Sequence, residues 1–106
     1  MSEIFKAANL LGHVSDHRRY HEFLRVAAMS AGVYLLPVGA TDKQSPHKED
    51  EIYYVIRGRA KMRLGDGERS VGPGDVIFVE RNLEHRFFDI IEELALLVVF
   101  APAESG

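Results

Sequence analysis

The sequence predicts an all-β fold, built as one small closed barrel, and three observations carry that prediction. Short segments rich in β-branched and aromatic residues recur along the chain, as strands do. Glycine-rich turns separate them at short, regular spacing, the pattern of a sandwich or barrel,. The 106 residues can supply one hydrophobic core and not two,.

Residues 1–19 show no apolar period and contain Asn9, Gly12 and Asp16, so they read as an N-terminal arm with at most a turn of helix,. The barrel is expected over residues 20–102, followed by a frayed tail at 103–106,. Tyr20 to Val38 is apolar-rich, with a break expected at Ser30-Ala31-Gly32. Glu22 to Met29 fits a helix or a strand equally. Val33 to Leu36, closed by Pro37 and Gly39, reads as a strand,. Gly39 to Pro46 is a loop,. Glu51 to Arg57 is a strand that Gly58 should stop, and Ala60 to Leu64 alternates with Lys61 and Arg63 as a half-exposed strand,. Gly65-Asp66-Gly67 turns it into a hairpin,. After the Gly72-Pro73-Gly74-Asp75 turn, Val76 to Val79 reads as a buried strand. Arg86 to Phe88 and Leu94 to Phe100 complete the set. The aromatics Tyr53, Tyr54, Phe78, Phe87, Phe88 and Phe100 are expected mainly in the core,.

Composition narrows the function. Hydrophobic residues make up 46% and charged residues 27%, an ordinary globular balance,. The net charge is −3, and His17-Arg18-Arg19 is the only basic cluster, so no nucleic-acid partner is expected,. Leu94 to Phe100 is too short to span a bilayer,. The first residues lack a secretory pattern, and a cytoplasmic location with no membrane partner is the expectation. The chain has no cysteine. Disulfides, thiolate zinc sites and cysteine nucleophiles are therefore excluded, and any metal must be held by nitrogen and oxygen.

The five histidines fall in two groups. His13, His17 and His21 are four residues apart and could share a helix face, but Arg18 and Arg19 lie among them. Positive charge beside a cation site is unfavourable, so these read as surface histidines. His47 leads into a strand and is followed by Glu51. On an extended chain His47, Glu49 and Glu51 share a side. Residue types leave this group open between half of a metal site and a charged, solvated strand edge. His85 lies between a buried strand and an aromatic one, where it can turn inward.

Two stretches add a resemblance. Gly39 to Gly58 resembles the first motif of the cupins, in which a glycine precedes two histidines one residue apart, then a glutamate, then a glycine. His47 stands at the second histidine position, Glu51 at the glutamate, and Gly58 follows with six residues between. Gly74 to Asp89 resembles the second motif: Gly74-Asp75 opens it and His85 falls at its histidine. The resemblance implies a double-stranded β-helix, or jelly-roll, barrel holding a divalent metal ion (iron, manganese, nickel, copper or zinc) through His47, Glu51 and His85. The first histidine position holds Ser45, so one of four ligands is missing. Gln44 is the best replacement, Glu49 the next, and water the alternative. Glu80 and Asn82 stand where the second motif has proline and glycine; Asn82 can adopt the left-handed backbone that glycine would supply. Tyr53 shares parity with Glu51 and should point inward, where its hydroxyl could bind a substrate.

Three functions remain in play: a metal-dependent enzyme acting on a small organic molecule, with dioxygenase chemistry as the leading example; a binding module without turnover; and a metal-free structural dimer. A small-molecule ligand in the barrel and a homodimer paired through strand edges are the expected partners.

Overall fold

A computed structural model describes residues 2–43 and 46–105. One short helix, α1 (Ala7–Leu11), precedes six strands: β1 (Tyr20–Val26), β2 (Met29–Leu36), β3 (Asp50–Leu64), β4 (Gly67–Val71), β5 (Val76–Val79) and β6 (His85–Ala101). All the pairings are antiparallel, in the order β1-β2-β6-β3-β4, with β5 also on β3. The expected all-β barrel is therefore present, and its plan rests on β3 and β6.

Each of these two strands is bent into two halves. Along β3, Glu51, Tyr53 and Val55 are buried, and beyond the bend Ala60 and Met62 are. The buried set changes from odd to even numbers, which one extra residue in the ladder explains. The ladder with β6 shifts register between Val55 and Arg57 and again beyond it. Gly58 sits at this joint with φ 101°, and a Cβ there would lie 2.2 Å from the Glu93 carbonyl oxygen. On β6 the same change occurs across Asp89, at φ 49°: His85 and Phe87 are buried before it, Ile90 and Leu94 after it. The first half of β3 pairs with β5 and the last residues of β6, the second half with β4 and the first residues of β6. These two walls face one another, so the Tyr53 ring meets the Phe87 ring edge-on at 5.0 Å across the interior.

Several sequence expectations need correction. Gly58 does not stop a strand; it lets one strand turn a corner. Arg86–Phe88 and Leu94–Phe100 are likewise one strand. Ser30-Ala31-Gly32 is not a break but the middle of β2, and the turn falls before Met29. Gly32 is small because the Tyr20 ring lies on it; a Cβ there would meet Tyr20 Cζ at 2.4 Å. The ambiguous Glu22–Met29 stretch is strand through Val26, and its last residues turn into β2. Val76–Val79 is not buried throughout: Ile77 and Val79 face inward, while Val76 and Phe78 are 66% and 61% exposed. Tyr54 also faces out, against the expectation that it lies in the core. The tail is not frayed through Ser105, because Glu104 and Ser105 hydrogen-bond to the barrel.

Candidate metal centre

The turn at Glu80–Asn82 brings the two motifs together. Asn82, at φ 65°, takes the left-handed backbone expected of it, and its N–H donates to the His47 carbonyl at 2.7 Å. The Arg81 N–H donates to Asp50 Oδ1 at 2.9 Å. The segment just before β3 is thus clamped to the segment just before β6. His85, first in β6, turns inward opposite Glu51, second in β3.

His47, Glu51 and His85 each offer a ligand atom, all within 4.8 Å of one another. Glu51 Oε1 lies 3.3 Å from His85 Nε2 and 3.9 Å from His47 Nε2. Glu51 and His85 are each 2% exposed, and His47 is half-buried at the mouth. His85 Nδ1 lies 3.0 Å from the Leu83 carbonyl, which can only accept, so Nδ1 carries the hydrogen and Nε2 turns its lone pair inward,. Both Glu51 carboxylate oxygens and His85 Nε2 are buried without a hydrogen-bond partner. Burial disfavours the charged ring of His85. The nearby Glu51 carboxylate and Leu83 carbonyl, with the charge of Asp42, outweigh that and hold its pKa above the ordinary histidine value.

A cavity of about 180 Å³ opens beside these groups, walled by Tyr20, Tyr34, Tyr53, Val98, Phe100 and Glu104. Tyr34 donates its hydroxyl to Asp42 Oδ1 at 2.9 Å, and Asp42 Oδ2 accepts the Phe87 N–H. The Tyr20 hydroxyl is buried without a hydrogen-bond partner. Both phenols are pushed well above the usual tyrosine range, chiefly by burial, so they stay neutral. Burial also raises the Glu104 carboxyl, with Glu49 and Glu51 adding to the effect and His47 opposing it.

Among the sequence candidates, His47, Glu51 and His85 converge and Tyr53 lies beside them, its ring 6.0 Å from that of His85. Glu49 does not join them. β3 begins at Asp50, so strand alternation does not reach Glu49, whose Oε2 instead accepts from Ser105 N and Oγ at 3.3 and 2.7 Å. Gln44 and Ser45 lie outside the described residues. His13 and His21 stack on each other at 4.6 Å and are not members of the cluster. Tyr20, Tyr34 and Glu104 escaped the sequence reading. Tyr20 opens a segment of ambiguous type, and nothing local marks Glu104.

The model of the cupin domain matches residues 32–100, well over half of the chain. The chain belongs to the cupin family. This cupin is 45% identical over 86 residues to the uncharacterized protein SCO3923 of Streptomyces coelicolor, across 81% of this chain and 82% of that one. A double-stranded β-helix protein of Klebsiella pneumoniae superimposes with a TM-score of 0.85, at 20% identity, over 100% of this chain and 95% of its own. The DMSP lyase DddQ of Ruegeria pomeroyi superimposes with a TM-score of 0.70, at 21% identity, over 84% of this chain and 51% of the lyase. At such identities the two structures show the shared fold alone. Among the described residues, no helix is long and apolar enough to cross a membrane.

Proposed function

We propose that this cupin holds one divalent cation through His47, Glu51 and His85 and presents it to a small organic molecule in the adjoining cavity. One observation carries the reading: three buried donor atoms, two on Glu51 and one on His85, face a common point with no hydrogen-bond partner. Each unsatisfied buried polar atom costs about 1–3 kcal/mol, a cost that coordination would remove. The donor set fits a borderline cation, since it is two imidazoles and a carboxylate with no thiolate. The same set, with open positions, serves non-haem iron oxygenases, which favours an enzyme of that kind over a passive binder. A bound ion would act as a Lewis acid on an oxygen of the ligand.

The rest is done by side chains of this chain. Tyr53, Val98 and Phe100 exclude water, and Tyr20 can offer its neutral hydroxyl to the ligand. The cavity, about 180 Å³, compares with the roughly 150 Å³ that encloses benzene, so the ligand is of about that size or protrudes from the mouth. The test is metal content after reconstitution with iron, manganese, nickel, copper or zinc, followed by oxygen uptake with phenols, diketones and thiols. Stoichiometric metal lost on joint His47→Ala and His85→Ala substitution supports the site. Full occupancy in that variant refutes it. Metal without turnover on any substrate leaves the binding module.

We also infer a homodimer paired through β5. Among the described residues β5 bonds only to β3, so its outer edge is open, and Val76 and Phe78 extend an apolar patch over Ile52 and Tyr54. Open apolar edges invite pairing with a second copy. Sedimentation should give a dimer for the natural chain and a monomer for Phe78→Lys; a monomeric natural chain would end the idea.

A further inference from the structure

The C-terminal segment ends in a strap across the mouth of the barrel, and its fastenings are buried. The Glu104 N–H donates to Ser30 Oγ at 2.9 Å. Ser105 donates twice to Glu49 Oε2. Ser30 and Glu49 are 0% and 4% exposed, two of the five buried polar side chains among the described residues. On the outside, Arg25, held by Glu22, donates from Nη2 to the Glu104 carbonyl at 2.8 Å. Residue 104 is therefore gripped at its own N–H, at its own carbonyl and through its neighbour. All of these bonds use main chain or Ser105, and none uses the Glu104 side chain.

That side chain points into the cavity wall and brings Oε2 to 3.5 Å from His47 Nδ1. The other ring nitrogen, Nε2, is the one facing Glu51. A neutral imidazole carries one hydrogen, and an acceptor on the Nδ1 side favours it there, which puts the lone pair on Nε2. At His85 the Leu83 carbonyl takes that place as a hydrogen-bond acceptor at 3.0 Å, closer than Glu104 is to His47. Each ring thus has an acceptor atom on its Nδ1 side: for His85 a carbonyl two residues away, for His47 a carboxylate distant in sequence.

We propose that Glu104 is a positioning residue: its carboxylate fixes His47 as the Nδ1–H tautomer and aims Nε2 at the point shared with Glu51 and His85. The inference rests on the metal reading given above, but the tautomer exists without metal and can be measured without it. A role confined to closing the barrel end is already met by the main-chain bonds, which substitution of the side chain leaves intact.

The experiment uses the full chain and its Glu104→Gln and Glu104→Ala variants, labelled with nitrogen-15 in histidine and stripped of metal. Long-range proton–nitrogen spectra, at a pH where the rings are neutral, should show Nδ1–H at His47 in the natural chain and in Glu104→Gln, whose amide oxygen also accepts. Glu104→Ala should lose that preference. Zinc affinity by chelator competition should fall about 10–100-fold in Glu104→Ala, the usual effect of removing a partner of a metal-bound histidine, and Glu104→Gln should recover most of it. An unchanged His47 tautomer and unchanged zinc affinity in Glu104→Ala would overturn the proposal. Loss of amide protection at Ser105 without a tautomer change would overturn it too, by showing that the side chain serves the strap. If the natural chain takes up no zinc, the metal reading falls, while the tautomer still decides the role of Glu104.

Discussion

The two halves of β3, joined at Gly58, are built to opposite plans. Beyond the joint, the strand buries Ala60 and Met62 and turns Arg59, Lys61 and Arg63 outward. Each of these cations has an acid of the same chain beside it: Glu92 at 3.7 Å, Asp89 at 3.7 Å, and Glu68 in direct contact. Before the joint, the strand buries Glu51 next to Tyr53 and Val55, and turns Ile52 and Tyr54 outward. There the inside holds donor atoms without hydrogen-bond partners and the outside holds apolar side chains without cover. One half is satisfied within the chain on both faces. The other leaves groups unmatched on both faces, a contrast that marks off the part of the barrel that supplies stability from the part proposed to bind.

The joint itself should be the most sensitive point. Valine at Gly58 would place its Cβ 2.2 Å from the Glu93 oxygen, on a backbone of φ 101° that β-branched residues avoid,. We expect Gly58→Val to cost more than about 4 kcal/mol, read as loss of folded protein or collapse of the urea midpoint. A midpoint within about 1 kcal/mol of the natural chain would mean that the corner is loose. In the satisfied half, Met62→Ala empties a fully buried position and should cost about 2–5 kcal/mol while leaving the metal affinity of the folded protein unchanged. In the unsatisfied half, the double variant Glu51→Leu with His85→Phe should go the other way. Removing a buried polar pair in favour of apolar groups is neutral or stabilising by about 1–4 kcal/mol, so the metal-free double variant should melt no lower than the natural chain and should bind no metal. A large loss of stability in that variant would show that the pair supports the fold rather than a ligand.

The same contrast explains what could be read from the sequence. That His47, Glu51 and His85 meet was legible because two local stretches, spaced to Gly58 and from Gly74, resemble the cupin motifs, and Asn82 because its turn needs one conformation. Val76–Val79 misled because all four residues are apolar, and an apolar run does not reveal whether one face of an edge strand is left bare. Gly32 looked like a break because its reason, the Tyr20 ring, lies on another strand. Glu104 was invisible for a like reason: Ser30 and Glu49, which place it, are distant in sequence and unremarkable in type.

Titration offers a gentler way to separate the halves. The pKa of His85 is raised in the fold, so the protonated ring favours the folded state,. The stability it lends the metal-free protein is fully present below the ordinary value of 6.5 and is lost as pH rises through the folded value,. A metal needs the Nε2 lone pair, so uptake releases a proton and strengthens over the same rise. Melting temperature against pH should therefore fall for chelated protein and climb for loaded protein. The double variant, with neither the acid nor the imidazole, should flatten both curves; parallel curves for chelated and loaded natural protein would remove His85 from the ligand set.

The smallest effect is expected on the outer side of the second half, and its smallness is the point. Lys61 and Asp89 are 3.7 Å apart, with both side chains more than half exposed. Water and salt screen such a pair, and it is worth about 0–1 kcal/mol. Lys61→Met should thus shift the urea midpoint by less than about 0.5 kcal/mol, with little dependence on ionic strength. A loss well above that would mean that the three cations act as one network with their acids, and that this half owes its stability to the charged outer face as well as to Met62 and its neighbours.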